Sequence, residues 1–288
     1  MNVASLVARV REILTEAGIP SPEVDADILV GLALGLTRSK VHLAARAEVT
    51  EAQEKLALEI AGQRSRRVPL QHLVGEVEFF SLPFKVRPGV FIPRPETEIL
   101  VALVIQNIKW KHPFRALDVC TGSGVVGVTI AGLAGKAAVT ATDISFEAVE
   151  LARENAIMNG VASRMDFIVG DGLDFLDAGA DGGGLFDAIV FNPPYVESDT
   201  IEGLEPEVRD HEPRIALDGG PDGLRFIEGI LPRAASLLRS KGLLAFEIGS
   251  DQGERAGELV GACGLDFKGV VQDLAGKNRI VLGRKPSG

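Results

Sequence analysis

"LDVCTGSGVVG", residues 117 to 127, decides the fold. A run of strand-forming residues reaches Cys120, and Gly122-x-Gly124-x-x-Gly127 then opens "VVGVTIAGLAG", which reads as a buried helix. Glycines at such a turn let the backbone approach a ligand, and the helix start presents free N–H groups. A tight strand-to-helix turn without a ligand is the alternative, and the pattern alone does not choose. "TATDIS" (140–145) supplies a second strand ending in Asp143, twenty-one residues after Gly122. An acid there is placed to accept both ribose hydroxyls of an adenosine cofactor, or else to cap a helix beside Ser145. After a third strand, "VGDGLDF" (169–175) brings Asp171 and Gly172 to the same rim, where Asp171 reaches an adenine amino group or caps its own loop.

Outward from this core, strands and helices alternate. "RALDVCT", "AAVTATDI", "RMDFIVGD", "FDAIVF" and "GLLAFEIG" read as strands. Between them lie "SFEAVELARENAIMNG", capped by Ser145 and closed by Gly160, and a helical stretch interrupted by Pro232. That alternation predicts an α/β fold with a mostly parallel sheet covered by helices on both faces. Two short strand-like runs around "DLAGKN" predict a C-terminal antiparallel hairpin at the sheet edge, and "PETEILVALVIQNIKW" (95–110) predicts a helix.

Upstream, residues 1–68 form a small all-helical domain. Ser21 and Pro22 start one helix, and Thr50 with Gln53 forms a capping box at another. The last turn of that helix gathers Arg64, Arg66 and Arg67, read as a solvated helix end, with a partner surface as the alternative. Residues 69–92, broken by Gly75, Pro83, Pro88 and Gly89, read as a β-hairpin linker, and 93–288 as the second domain.

Bulk composition excludes several classes. With 288 residues, 46% hydrophobic and 24% charged, the chain reads as soluble and globular. A formal charge of −10 argues against broad phosphate binding. Cys120 and Cys263 lie far apart, and the four histidines (42, 72, 112, 211) show no metal-ligand spacing, so a reduced cytoplasm and no metal are expected. The N-terminus meets Arg9, Arg11 and Glu12 too early for a signal segment, and "ILVGLALGL" (28–36) is too short to span a bilayer.

"IVFNPPYVES" (189–198) then separates the nucleotide-binding possibilities. Asn192-Pro193-Pro194-Tyr195 stands at the end of the fourth strand, on the cofactor rim, and Tyr195 is the chain's single tyrosine. Suppose the acceptor is a planar nitrogen bearing two hydrogens. Its lone pair is delocalised, so it attacks a sulfonium methyl poorly. The Asn192 side-chain oxygen and the Pro193 carbonyl can bind its two N–H groups out of plane, which favours a pyramidal nitrogen. The prolines stiffen the carbonyl, and Tyr195 packs flat on the planar group. A rigid turn leaving the sheet is the plainer reading. A nicotinamide dehydrogenase leaves the motif unexplained.

"NPPY" following "LDVCTGSG" and "TATDIS" resembles the class I (Rossmann-like) methyltransferases of planar amino groups. The helical start, "PLQHLVGEVEFF", "FIPRPETEILV" (91–101), "HEPRIALDGGPDGL" (211–224) and "KNRIVLGR" (277–284) narrow this. Together they resemble the HemK/PrmC-type glutamine methyltransferases of peptide chain release factors over nearly the whole length, with "RPETE" and "NPPY" the most specific pieces. The resemblance implies methylation of the glutamine side-chain nitrogen in the Gly-Gly-Gln loop of class 1 release factors. The donor would be S-adenosyl-L-methionine, leaving S-adenosyl-L-homocysteine. Asn192, Pro193, Pro194 and Tyr195 would bind the glutamine. Cys120, Thr121, Gly122, Ser123, Gly124, Asp143, Asp171 and Gly172 would bind the cofactor, with Asn192 near both ligands. The helical domain and hairpin would help hold the factor, and Arg94 and Glu96 would hold the pocket border in place.

Two departures stand out. Cys120 takes the place of the glycine that usually precedes Thr121, a position then not required to have φ > 0. Gly172 stands where relatives often carry an aromatic, which would loosen the adenine pocket. A catalytic thiol at Cys120 is not expected, because methyl transfer to an amide nitrogen needs no covalent step. The alternatives are a ribosomal-protein glutamine methyltransferase, a nucleic-acid adenine methyltransferase and a non-enzymatic release-factor-binding protein. The expected partner is a protein, with neither nucleic acid nor membrane, and the expected state is a monomer.

Overall fold

The computed structural model describes residues 1–107, 113–173, 176 and 186–287. The end of the helix expected over 95–110, His112, the last two residues of "VGDGLDF" and Gly288 lie outside the described residues. Two compact units divide the chain: Met1–Glu76 with Glu205–His211, and Val77–Leu204 with Glu212–Gly288.

The first unit is built on α1 (Val3–Glu16), α2 (Pro22–Leu34), α3 (Arg38–Leu43), α4 (Glu51–Ser65) and α5 (Leu70–Val74). Thr50 and Gln53 close the capping box expected at α4. Leu6, Val10 and Leu14 of α1 meet Leu29 and Val30 of α2 and Ala57 and Ala61 of α4 in one apolar core. The arginine trio departs from a solvated helix end. Arg66 is exposed, but Arg64 is buried, its Nε donating to Asp25 and its Nη1 to Glu207, both at 2.7 Å. Arg67 pairs with Glu205 at 2.9 Å and Glu207 at 2.7 Å. Burying a guanidinium on the packed side of a helix is costly unless carboxylates pair with it. Here Glu207 comes from far along the chain, and no local pattern announces it.

In the second unit, β1 (Glu76–Phe79) and β2 (Leu82–Lys85) form a hairpin whose turn residues Phe80 and Ser81 both have positive φ, 53° and 59°. That is the handedness a two-residue turn needs to follow strand twist. Phe79 and Phe84 are buried in this unit's core. The stretch expected as one hairpin linker over 69–92 therefore divides into α5 in the first unit and a hairpin in the second. Two buried phenylalanine rings bind the hairpin to the sheet domain more strongly than a linker would be.

The sheet domain continues through α6 (Thr97–Asn107), β3 (Phe114–Val119), α7 (Val125–Leu133), β4 (Ala137–Asp143), α8 (Phe146–Met158), β5 (Met165–Val169) and β6 (Phe186–Phe191). The chain then contributes α9 (Pro206–Arg209) to the first unit and returns with α10 (Arg225–Leu237), β7 (Leu238–Glu247), α11 (Gly253–Ala262), β8 (Asp266–Gln272) and β9 (Asn278–Arg284). Among the described residues the sheet runs β5-β4-β3-β6-β7-β9-β8. Pairings from β5 to β7 are parallel, and β9 is antiparallel to both neighbours, which is the expected C-terminal hairpin. Period-two alternation sends Ala188 and Val190 to the face covered by α6, α7 and α8, and Ile189 and Phe191 to the face covered by α10 and α11. Pro232 lies inside α10 without ending it.

Strand order reverses between β3 and β6, and ligands of open α/β sheets sit beyond the carboxyl ends of strands at such a switch point. Register aligns those ends: Val119 is opposite Phe191, Asp143 opposite Val169, and Phe191 opposite Phe246.

Candidate active site

One half of the rim is made largely by backbone. Three alternate residues after β3 take left-handed conformations: Cys120 (φ 56°), Gly122 (φ 55°) and Gly124 (φ 84°). The turn is stitched by Thr121 N–H to the Thr142 carbonyl (3.0 Å) and Gly124 N–H to the Thr121 carbonyl (2.8 Å). A Cβ on Gly124 would lie 2.9 Å from Ala152 Cα, so close packing against α8 demands glycine there. A Cβ on Gly122 would meet nothing within 4 Å, so the space beside that residue is open to a ligand. Ser123 is buried, and its carbonyl accepts from Asn155 Nδ2 at 2.8 Å.

Cys120 does occupy a position with φ > 0, contrary to expectation. The loop's hydrogen bonds impose the conformation on whatever residue stands there, and a cysteine bears strain that glycine would not. Its thiol is pushed well above the ordinary range by burial and by the carboxylates of Asp143, Asp118 and Asp171. It stays protonated, as a side chain with no nucleophilic task would.

Asp143 receives Gly122 N–H at 2.9 Å on one oxygen and Ser145 N–H at 3.0 Å on the other. It braces the glycine loop and the start of α8, in line with the helix-cap reading, and a carboxylate has about four lone-pair sites, so acceptor capacity remains. Burial raises its pKa. Asp171 is exposed just beyond β5. Gly172 has φ 60°, which accounts for glycine at that position on conformational grounds.

Sequence reasoning missed Asp118. Buried in β3, its Oδ2 accepts from Thr121 Oγ1 at 2.6 Å and Gly127 N–H at 2.9 Å, tying the loop to the first turn of α7. Burial pushes its pKa up to about 7 despite those two donors. Its position in an apolar run, three residues before Thr121, was the available signal.

The other half of the rim is made by side chains. Asn192 follows β6, and its Nδ2 donates to Thr97 Oγ1 at 3.1 Å. Thr97 Oγ1 donates to Glu247 Oε2 at 2.7 Å, and Tyr195 Oη donates to Glu247 Oε1 at 3.0 Å. Thr97 opens α6, Glu247 ends β7, and both are buried. Burial raises Glu247, and burial with the Glu247 charge raises Tyr195. The Tyr195 carbonyl accepts from Gln252 Nε2 at 3.0 Å, and Val196 N–H donates to the Leu217 carbonyl at 2.9 Å. Pro193 is buried and Pro194 half-buried, so the chain leaving β6 is held on both sides. Arg94 reaches Glu212 at 2.6 Å and lies 4.7 Å over the Phe91 ring, joining "FIPRP" to "HEPR". Thr97, Glu247 and Gln252 were not among the expected site residues, since single polar residues at element ends carry no motif.

Residues 5–75 match the model of the PrmC N-terminal domain, and residues 81–204 that of the methyltransferase small domain. A release factor glutamine methyltransferase from Moorella thermoacetica is 41% identical over 93% of both chains. The chain belongs to the release factor glutamine methyltransferase family. Family members bearing the same name in Caulobacter vibrioides and Deinococcus radiodurans are each 36% identical. The first aligns over 94% of this chain and 92% of the other, the second over the full length of both. Solved structures at lower identity show the shared fold alone. A methyltransferase from Pyrococcus furiosus aligns at TM-score 0.52 and 20% identity over 72% of this chain and 90% of that one. A ribosomal protein L11 methylase from Lactobacillus delbrueckii subsp. bulgaricus aligns at TM-score 0.50 and 23% identity over 69% and 84%. Family and fold together imply S-adenosylmethionine as methyl donor. Among the described residues no helix is long and apolar enough to cross a membrane.

Proposed function

We propose that this protein methylates the side-chain amide nitrogen of the glutamine in the Gly-Gly-Gln loop of class 1 peptide chain release factors. One observation carries the reading: the Asn192–Tyr195 segment, braced by Thr97, Glu247 and Gln252, follows the strand beside the glycine loop in a chain that aligns with a family member over 93% of both.

The left-handed turn Cys120–Gly124 with Asp143, Asp171 and Gly172 would hold S-adenosylmethionine, with Asn192 alongside; open space at Gly122 and the braced Asp143 carboxylate fit an adenosine-bearing ligand. The cofactor supplies an electrophilic methyl on a sulfonium sulfur. The chain's own residues prepare the acceptor. Asn192 Oδ1 and the Pro193 carbonyl accept the two N–H groups of the glutamine amide, drawing its nitrogen out of conjugation. Pro194 fixes the backbone so that these acceptors need no reorganisation, and the Tyr195 ring walls the amide plane. No strong base is needed, because the nitrogen becomes acidic only after transfer.

The helical unit, with the hairpin, takes the part of holding the release factor, and its family-model match over residues 5–75 supports that. The reading carries with it a cytoplasmic monomer that contacts protein rather than nucleic acid. Incubation with labelled S-adenosylmethionine and a release factor, beside a Gln-to-Ala version of its Gly-Gly-Gln loop, tests it. Label on the wild-type factor alone is expected. Label on both, or on neither while the cofactor still binds, would reject the target residue.

A further inference from the structure

An asparagine side chain has two ends of opposite character, and only one suits an acceptor of N–H groups. The network behind Asn192 decides which end faces outward. An ionised carboxylate accepts hydrogen bonds and cannot donate them. Glu247 therefore takes the hydroxyl proton of Thr97 (2.7 Å) on Oε2 and that of Tyr195 (3.0 Å) on Oε1. Thr97 has one proton, and once it is committed to Glu247 its oxygen is left as an acceptor. The group it meets at 3.1 Å is then the Asn192 amide nitrogen, which turns Oδ1 away from Thr97. Each step follows from proton count and leaves no second arrangement while Glu247 is charged.

Given the role proposed above for Asn192, on which this depends, we infer that Glu247 and Thr97 are positioning residues that set which end of the Asn192 amide faces the substrate nitrogen. Protonation of Glu247 removes that constraint. With the proton on Oε2 the carboxyl donates to Thr97, Thr97 can then donate to Asn192 Oδ1, and the amide turns N–H groups toward the N–H groups of the glutamine. Activity falls without any change of fold. The groups facing Glu247 bear on that switch. Tyr195 and Thr97 donate to it, Arg279 of β9 favours its charged form, Glu96 beside α6 opposes it, and Arg94 acts on Tyr195 from farther off. Arg279 is itself held by Asp273 at 2.9 Å. Burial outweighs the favourable partners and moves the protonation of Glu247 upward from the ordinary glutamate range.

The test compares Thr97→Val, Thr97→Ser and Glu247→Gln in the full chain, with kcat, release-factor KM and cofactor affinity measured separately. Loss of one such hydrogen bond predicts that Thr97→Val lowers kcat about tenfold or more while cofactor affinity changes less than about threefold. Thr97→Ser keeps the hydroxyl and recovers most of the rate. The wild-type rate falls on the acid side as Glu247 protonates, and Glu247→Gln lacks that limb because its amide does not titrate. A role confined to packing moves melting temperature without altering the pH profile. Wild-type kcat in Thr97→Val, or an unchanged acid limb in Glu247→Gln, would overturn the inference.

A second readout needs no substrate. Nitrogen-15 spectra of the Asn192 side-chain amide are expected to show one slowly exchanging proton in the wild type and faster exchange in Thr97→Val. Equal exchange in both overturns the orientation mechanism, whereas a wild-type enzyme that ignores release factors yet shows the protected proton sinks the substrate reading alone.

Discussion

The two halves of the rim solve different problems by different means. On the β3–β4 side, the loop from Cys120 to Gly124 is shaped by backbone bonds between residues close in sequence or on adjacent strands. On the β6–β7 side, Asn192 depends on Thr97 and, through it, on Glu247, residues 95 and 150 positions apart in each pair. A cofactor common to many enzymes needs close backbone approach, which glycines in a short turn supply. The amide nitrogen of the proposed substrate needs oriented oxygens, and a chain of side chains with settled protons orients the one on Asn192. The first arrangement tolerates an unusual residue such as Cys120. The second tolerates little, because one proton added to Glu247 releases it.

Asn192→Ala should break the contrast most severely. Removal of one preorganised partner of this kind costs roughly 10²–10³-fold in kcat. Cofactor affinity, measured by calorimetry, should change far less, because the glycine loop stands independently. Gly124→Ala attacks the opposite half. Its Cβ would sit 2.9 Å from Ala152 Cα at a φ of 84°. Left-handed strain and overpacking together predict a loss of about 2–4 kcal/mol in denaturant unfolding, with cofactor affinity falling alongside.

Asp118 sharpens the comparison through pH. Burial raises its pKa from 3.8 to about 7, so the folded protein holds its proton where the unfolded chain has released it. The sign follows: stability is fullest below about pH 4 as far as this group is concerned, and falls as pH rises toward 7. Asp118→Asn should flatten that part of the stability profile between pH 5 and 7.5 by on the order of a few kcal/mol. Asp143, Glu212 and Glu247, also raised by burial, retain a slope of the same sign. Cys120→Gly should show the smallest effect. Relief of left-handed strain is offset by the greater freedom of glycine in the unfolded chain, leaving a net gain under about 1 kcal/mol, visible as a slightly higher melting temperature.

Much of this was legible in advance because it was local. Strand and helix alternation, the Gly122–Gly127 turn, Asp143 at a strand end and the C-terminal hairpin each follow from periodicity and turn chemistry within a few residues. The family resemblance rested on such stretches too. Less legible were Arg64, whose carboxylate partner Glu207 lies 143 residues away, and the hairpin, whose place in the sheet domain depends on the burial of Phe79 and Phe84. The φ of Cys120 was hidden because a cysteine hides the conformational demand that a glycine advertises.

By itself, the sequence determined an α/β sheet domain that follows a helical one along the chain, the rim proposed here for a nucleotide-type cofactor, and the segment proposed to meet a planar nitrogen. Periodicity and turn residues act over short separations, and these features need nothing longer. Only the tertiary structure decided that Thr97 and Glu247 stand behind Asn192, and that Asp118 rather than a loop residue anchors the glycine turn. Buried polar groups must find partners wherever the fold brings them, and those partners share a proton network without sharing any stretch of sequence.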